Sequence, residues 1–269
     1  MSSRKIEQLY SSKGPAYITA ENRDQLNPFV LFDAGPLESK EVFGPSWHPH
    51  SGVATLTFPY ISDLHHSDSD DNTGIVKEGG FQWMQAGGGL WHQEKYHPNQ
   101  GKIGIQQLWV RLGPEEESTA PDYTDVQPED VVKHGNTRIF IGEYQGVISP
   151  VKVPADISYF DITLKRGESW SYKAPASQTR GFVYPRKGSI KVGTILVPEL
   201  ILGKFVDGSK NIEITAETDT ELTVALAAPS PHKIVHEYGQ MHTNQGALNK
   251  GKVRTNEIYS ELVKKGILK

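Results

Sequence analysis

Four side chains in two short stretches have the types and the spacing to hold a metal ion. SWHPHSG (46–52) places His48 and His50 one residue apart, and LWHQE (90–94) does the same for His92 and Glu94. Alternate residues of a β-strand point to one face. Each pair would therefore project together, and two such pairs on neighbouring strands would converge as three imidazoles and one carboxylate. That donor set suits a borderline divalent ion (Fe, Mn, Ni, Co, Cu or Zn) and leaves coordination positions open for chemistry. The chain has no cysteine, which excludes disulfides, iron–sulfur clusters, zinc–thiolate sites and thiol nucleophiles. Spacing alone leaves a second reading open, in which these are surface or hydrogen-bonded histidines.

The elements that must position such pairs are strands. Runs rich in β-branched and aromatic residues recur between turn clusters: 53–61, 103–112, 137–144, 158–164, 181–185, 188–197, 211–217 and 221–229. Several alternate with period two, and their spacing is that of a sandwich or barrel. The composition shifts once, at GPEEESTAPDYTDVQPEDVV (113–132), which is acidic and carries three prolines. Proline is excluded from central strands, so this segment reads as a connection with a short helical turn. The expected architecture is all-β, with two tandem barrels: residues 1–130 carrying the metal and residues 131–269 carrying none, the latter lacking an H-x-H pair. The final segment, VRTNEIYSELVKKGILK, is the best helix candidate, with Thr255 as N-cap, Gly266 as stop, and Ile258, Leu262 and Val263 on one face.

The motifs around the ligand pairs carry a specific resemblance. HPHSG, GGFQWMQAGGGLWHQE and IQQLWVRL are similar to the H-P-H-R-G, G-D-x-Q-W-M-x-A-G-x-G-x-x-H-x-E and L-Q-L-W-V-N-L segments of the pirin family. NPFVLFDAGP (27–36) and HSDSDDNTG (66–74) also resemble pirin segments. The match is dense from Pro49 to Leu112; beyond it, only length and β character agree. The resemblance implies two cupin barrels (double-stranded β-helix, or jelly-roll), the first holding one metal, Fe(II) foremost, on His48, His50, His92 and Glu94. It implies a quercetin 2,3-dioxygenase-type activity on a flavonol or related enol with O₂. The alternative is a non-catalytic iron- or redox-sensing regulator that binds a transcription factor or metabolic enzyme. In the enzymatic reading, Glu94 is also the base that takes the substrate hydroxyl proton. The chain departs from the family at Ser51, where pirins carry Arg, at Ala54, where they carry Glu, and in the tail YGQMHTN (238–244).

Trp47, Trp83, Trp91 and Trp109 lie near the ligand motifs. Phe43, Trp47 and Trp91 are the expected substrate-pocket residues, while Trp83 and Trp109 read equally well as core. AGGGLWH (86–92) lacks the Lys-Ser/Thr end of a phosphate loop and reads as a tight hairpin. DLHHSDSDDNTG (63–74) lacks the closing Glu of a calcium loop, and a solvated hairpin tip is the better reading of His65, His66, Asp68, Asp70 and Asp71. His97, His232, His236 and His242 stand alone, His242 being notable because the tail departs from the family there. A net charge of −4 gives no nucleic-acid footprint. No segment reads as a secretory leader or membrane span, so the expected location is cytoplasmic, or nuclear in a eukaryote.

Overall fold

The computed structural model describes residues 3–12, 14 and 16–269. The described residues form an all-β structure with two helices, Arg23–Leu26 and Gln245–Lys264. It divides into two compact units. One combines Val131–Pro229 with the N-terminal stretch to Tyr17, and the other combines Ile18–Asp130 with Ser230–Lys269. The division differs at both ends from the 1–130 and 131–269 domains expected. The physical reason is pairing: strand Ile6–Tyr10 extends the sheet of the later unit by lying antiparallel to Leu202–Phe205. The tail hairpin Val235–Glu237/Gln240–His242 and the C-terminal helix pack on strands of the earlier one.

Each unit is built from two antiparallel sheets. In the later unit, one sheet runs in the spatial order Ile6–Tyr10, Leu202–Phe205, Arg180–Lys187, Thr220–Ala227, Ile157–Leu164, Thr137–Ile141, Lys133–His134. The second runs Ser169–Tyr172, Ile212–Ala216, Ile190–Val192, Ile195–Val197. The expected single strand over 188–197 is thus a hairpin. Apolar side chains from both sheets meet between them, Phe160, Trp170, Tyr172, Val183, Ile214 and Leu226 among them. In the other unit, one sheet takes Asp122–Val126, Phe81–Gln85, Val53–Pro59, Lys102–Arg111 and Phe29–Glu38 in that spatial order. The facing sheet takes His48–His50, Leu90–Pro98, Ser62–Asp68 and Thr73–Val76.

Two further expectations are corrected. Part of the acidic connection is a strand: Asp122–Val126 pairs with Phe81–Gln85. It lies at the sheet edge and falls between Pro121 and Pro128, so the missing proline N–H groups cost the ladder nothing. The C-terminal helix begins eleven residues earlier than expected, its N-cap at Asn244 and not Thr255. Asn244 accepts from Ala247 N, and Thr255 lies mid-helix, its hydroxyl donating to Gly251 O (3.0 Å). The buried face is Leu248, Gly251, Thr255, Ile258 and Leu262, while Val263 is exposed. Low helix propensity in QGALNKGK hid the first two turns, which tertiary packing stabilises.

Candidate metal centre

Strand His48–His50 lies antiparallel to Leu90–Pro98 with His48 opposite His92 and His50 opposite Leu90. This register brings the rings of His48, His50 and His92 together in a triangle. Ring centroids are 4.4 Å apart for His48–His92, 4.8 Å for His48–His50 and 5.0 Å for His50–His92. The Nε2 atoms of His48 and His92 approach to 3.0 Å. One nitrogen from each of the three lies within 4.8 Å of the others, the only such group of potential ligands among the described residues.

Two of the three tautomers are set by the backbone. His48 Nδ1 faces Ser46 O at 2.7 Å and His50 Nδ1 faces Gly239 O at 2.9 Å. A carbonyl can only accept, so each Nδ1 carries the hydrogen and each Nε2 lone pair is free to ligate. His50 and His92 are buried, and His48 is half-buried on the open side. Burial, the neighbouring His48 and, in opposition, the Gly239 bond bring the His50 pKa down to about 3. Burial, then His50, His48 and His66, hold His92 well below the ordinary range. Neutral imidazoles converging on one point are the form that binds a cation, so the donor set fits a metal.

Glu94 lies outside this group. It is one strand repeat beyond His92, directly opposite His66, and is buried. Its Oε2 accepts from Gln107 Nε2 (2.9 Å) and its Oε1 from the Thr57 hydroxyl (3.3 Å). Trp109 Nε1 donates to Gln107 Oε1 (3.1 Å). An indole N–H can only donate, so it turns the Gln107 oxygen towards itself and the amide N–H towards Glu94. The Trp109 ring also meets His50 edge-on, centroids 4.7 Å apart. Trp109, which the sequence reads equally well as core, touches both a histidine and the chain that holds Glu94. Asp33 pairs with Gln107 across the neighbouring strand, and its carboxyl is pushed up to about 6, by burial first and Glu94 second.

Thr57, Gln107, Asp33 and Asp125 were absent from the sequence reading, and His66, read there as part of a solvated hairpin tip, is buried and pairs with Asp125 (2.8 Å). The signal for Gln107 and Trp109 was available: two non-aliphatic residues at spacing two within a strand. For Thr57 there was none, because Val53–Pro59 is buried at every position.

The expected pocket residues separate. Trp91 faces the opposite side of its strand from His92. Its Nε1 donates to Thr255 O (2.8 Å) and its ring lies 5.4 Å from Tyr259, so it anchors the C-terminal helix and lines no pocket at the histidines. Phe43 is 54 % exposed, its backbone paired with Tyr96. Trp47 is half-buried beside His48. The 63–74 segment is the hairpin expected, but only its tip is solvated. Asp68 is buried and accepts from Asp70 N, Asn72 N and Asn72 Nδ2, closing the turn.

Two facing antiparallel sheets with a histidine cluster that could hold a metal ion give a cupin-like fold. Residues 11–110 match the family model for pirin. A mouse protein named pirin is 31 % identical over 173 residues, 62 % of this chain and 58 % of the relative. A Pseudomonas aeruginosa protein, provisionally named a quercetin 2,3-dioxygenase, is 27 % identical over 224 residues, 78 % of each chain. Among solved structures, a quercetin 2,3-dioxygenase from Acinetobacter baumannii superposes with a TM-score of 0.84 at 23 % identity, covering 95 % of this chain and 98 % of the other. The nickel complex of the Escherichia coli pirin YhhW superposes with a TM-score of 0.65 at 21 % identity, covering 84 % and 98 %.

Proposed function

We propose that the chain binds one divalent metal ion, Fe(II) foremost, on His48, His50 and His92, and that it is a dioxygenase of the quercetin 2,3-dioxygenase type acting on a flavonol or related enol. The observation that carries this reading is the convergence of three imidazoles, two of them held through Nδ1 by backbone carbonyls, beside a buried carboxylate. The names of the relatives and the nickel bound by a pirin of the same fold support it.

A bound ion would anchor the enol oxygen as a Lewis acid and mediate electron transfer to O₂. The protein's residues supply the rest. Substrate would enter beside half-buried His48, with Phe43 and Trp47 on that side. Glu94 would take the substrate hydroxyl proton, and it is also the candidate for a fourth ligand. Gln107 and Thr57 hold Glu94 on the barrel floor, and Trp109 fixes the amide that holds it. The buried walls exclude bulk water from this proton transfer.

The test is elemental analysis with an O₂-uptake screen on the same sample, across flavonols and other enols. One metal per chain with flavonol-dependent O₂ uptake is expected. No metal would end the proposal. Bound metal with no uptake across the panel would end the dioxygenase reading and leave the non-catalytic metal-sensing regulator.

A further inference from the structure

The carbonyl that sets the His50 tautomer belongs to the tail, 189 residues away in sequence. A chain of buried polar contacts holds that tail against the ligand strand. Gln240 bridges Ser51 in parallel, and Met241 N donates to Ser51 O (3.0 Å). The Ser51 hydroxyl donates to Gln240 Oε1 (2.8 Å), and its oxygen lies 2.8 Å from His242 Nε2. His242 Nδ1 faces Glu117 Oε2 at 3.2 Å, off the line of a good hydrogen bond. Glu117 in turn accepts from Thr243 N (2.8 Å) and the Thr243 hydroxyl (2.6 Å). Ser51, His242 and Glu117 are 0 %, 1 % and 2 % exposed.

Two glycines show how close the fit is. Gly239 has φ +70°, and a Cβ there would fall 2.6 Å from Pro49 O. A Cβ on Gly251 of the C-terminal helix would fall 2.4 Å from Ser51 Oγ and 2.7 Å from His242 Nε2. The helix thus seals the cluster from outside. A Ser–His–Glu set in an accessible cleft would suggest a nucleophile. Here the hydroxyl has no approach for a substrate, so the cluster's work is positional.

We propose that Ser51, His242 and Glu117 are positioning residues for the metal centre. By locking segment 239–243 onto the ligand strand, they keep Gly239 O on His50 Nδ1 and so keep the His50 Nε2 lone pair on the ion. Arginine is the usual pirin residue at position 51. The serine leaves room for His242, so the tail itself supplies the contact.

The affinity part rests on the three histidines being the metal site; the tautomer part does not. The experiment reads both: imidazole ¹⁵N NMR of the metal-free protein at neutral pH, and nickel affinity by competition titration. In the wild-type chain, His50 is a single Nδ1–H tautomer. In His242→Phe, that signal gives way to a mixture, and nickel affinity falls about 10- to 100-fold, as loss of a hydrogen-bonded support to a ligand does. Ser51→Ala shifts both readings the same way by less, and decides the matter if His242→Phe does not fold. His236→Ala, exposed on the same hairpin, changes neither. A wild-type tautomer and wild-type affinity in the folded variants would overturn the inference, as would an equal effect from His236→Ala. A wild-type chain that binds no nickel would defeat the proposed function, while the tautomer would still decide this one.

Discussion

The two units share an architecture and differ in what fills it. Between the sheets of the later unit stand Phe160, Trp170, Tyr172, Val183, Ile214 and Leu226, a continuous apolar core. At the matching place in the other unit stand His50, His92, Glu94, Gln107, Thr57 and His66, all buried or half-buried, with Asp125 against His66. Apolar side chains pack in this unit as well, Leu64, Val76, Tyr96 and Ile103 among them. Buried polar groups cost free energy unless each finds a partner. In this unit the partners are largely one another: Gln107 with Glu94, Gln82 and His66 with Asp125. Some atoms remain without a protein partner, including His92 Nδ1, His66 Nδ1 and Thr55 Oγ1. Such atoms characterise a site arranged for a ligand more than for stability. One fold therefore serves two ends, and the choice is made by the residues at inward positions.

The largest expected effect tests that contrast at its centre. His50→Ala removes one of three converging nitrogens and should abolish bound metal by elemental analysis. Full occupancy would show that the polar interior is not the site. Glu94→Gln comes next: under the proposed function it should lower turnover about 10²- to 10⁴-fold, the usual worth of a positioned base, while metal content stays measurable. Unchanged turnover would remove Glu94 from the chemistry. In the apolar unit, Phe160→Ala should cost about 3–5 kcal/mol in denaturant unfolding, with no loss of metal from the folded protein. A small cost would mean that this core is looser than its burial implies.

The smallest effect concerns acid. Burial raises the Asp125 carboxyl, but hydrogen bonds from His66 and Gln82 outweigh it, and its pKa lies below the ordinary 3.8. A carboxyl depressed in the folded state stabilises above its unfolded pKa and loses that contribution as pH falls through the folded value. Asp125→Asn should therefore flatten the fall in melting temperature below pH 4. An unaltered acid profile would place the acid sensitivity of this unit elsewhere.

Much of this was legible beforehand. Period-two runs located most strands, and the H-x-H and H-x-E spacings picked out the three histidines and the carboxylate beside them. Strand geometry is local, so spacing predicts which side chains share a face. The failures were non-local. Nothing within residues 230–269 states that they pack beside His50, or that residues 6–10 pair with 202–205. Trp91 was assigned to the pocket because it adjoins His92 in sequence, and adjacency on a strand means opposite faces.

The sequence by itself determined the β class, the resemblance to pirins and the donor types available to a metal, since these follow from composition, period and motif. Only the tertiary structure decided that three nitrogens meet while Glu94 stands apart, held by Gln107 and Thr57. It also decided that a tail carbonyl fixes His50. Both depend on register and on contacts between segments far apart in the chain, which no local pattern encodes. For the same reason Ser51, a lost arginine when read along the chain, is in the folded protein the point where tail and ligand strand are joined.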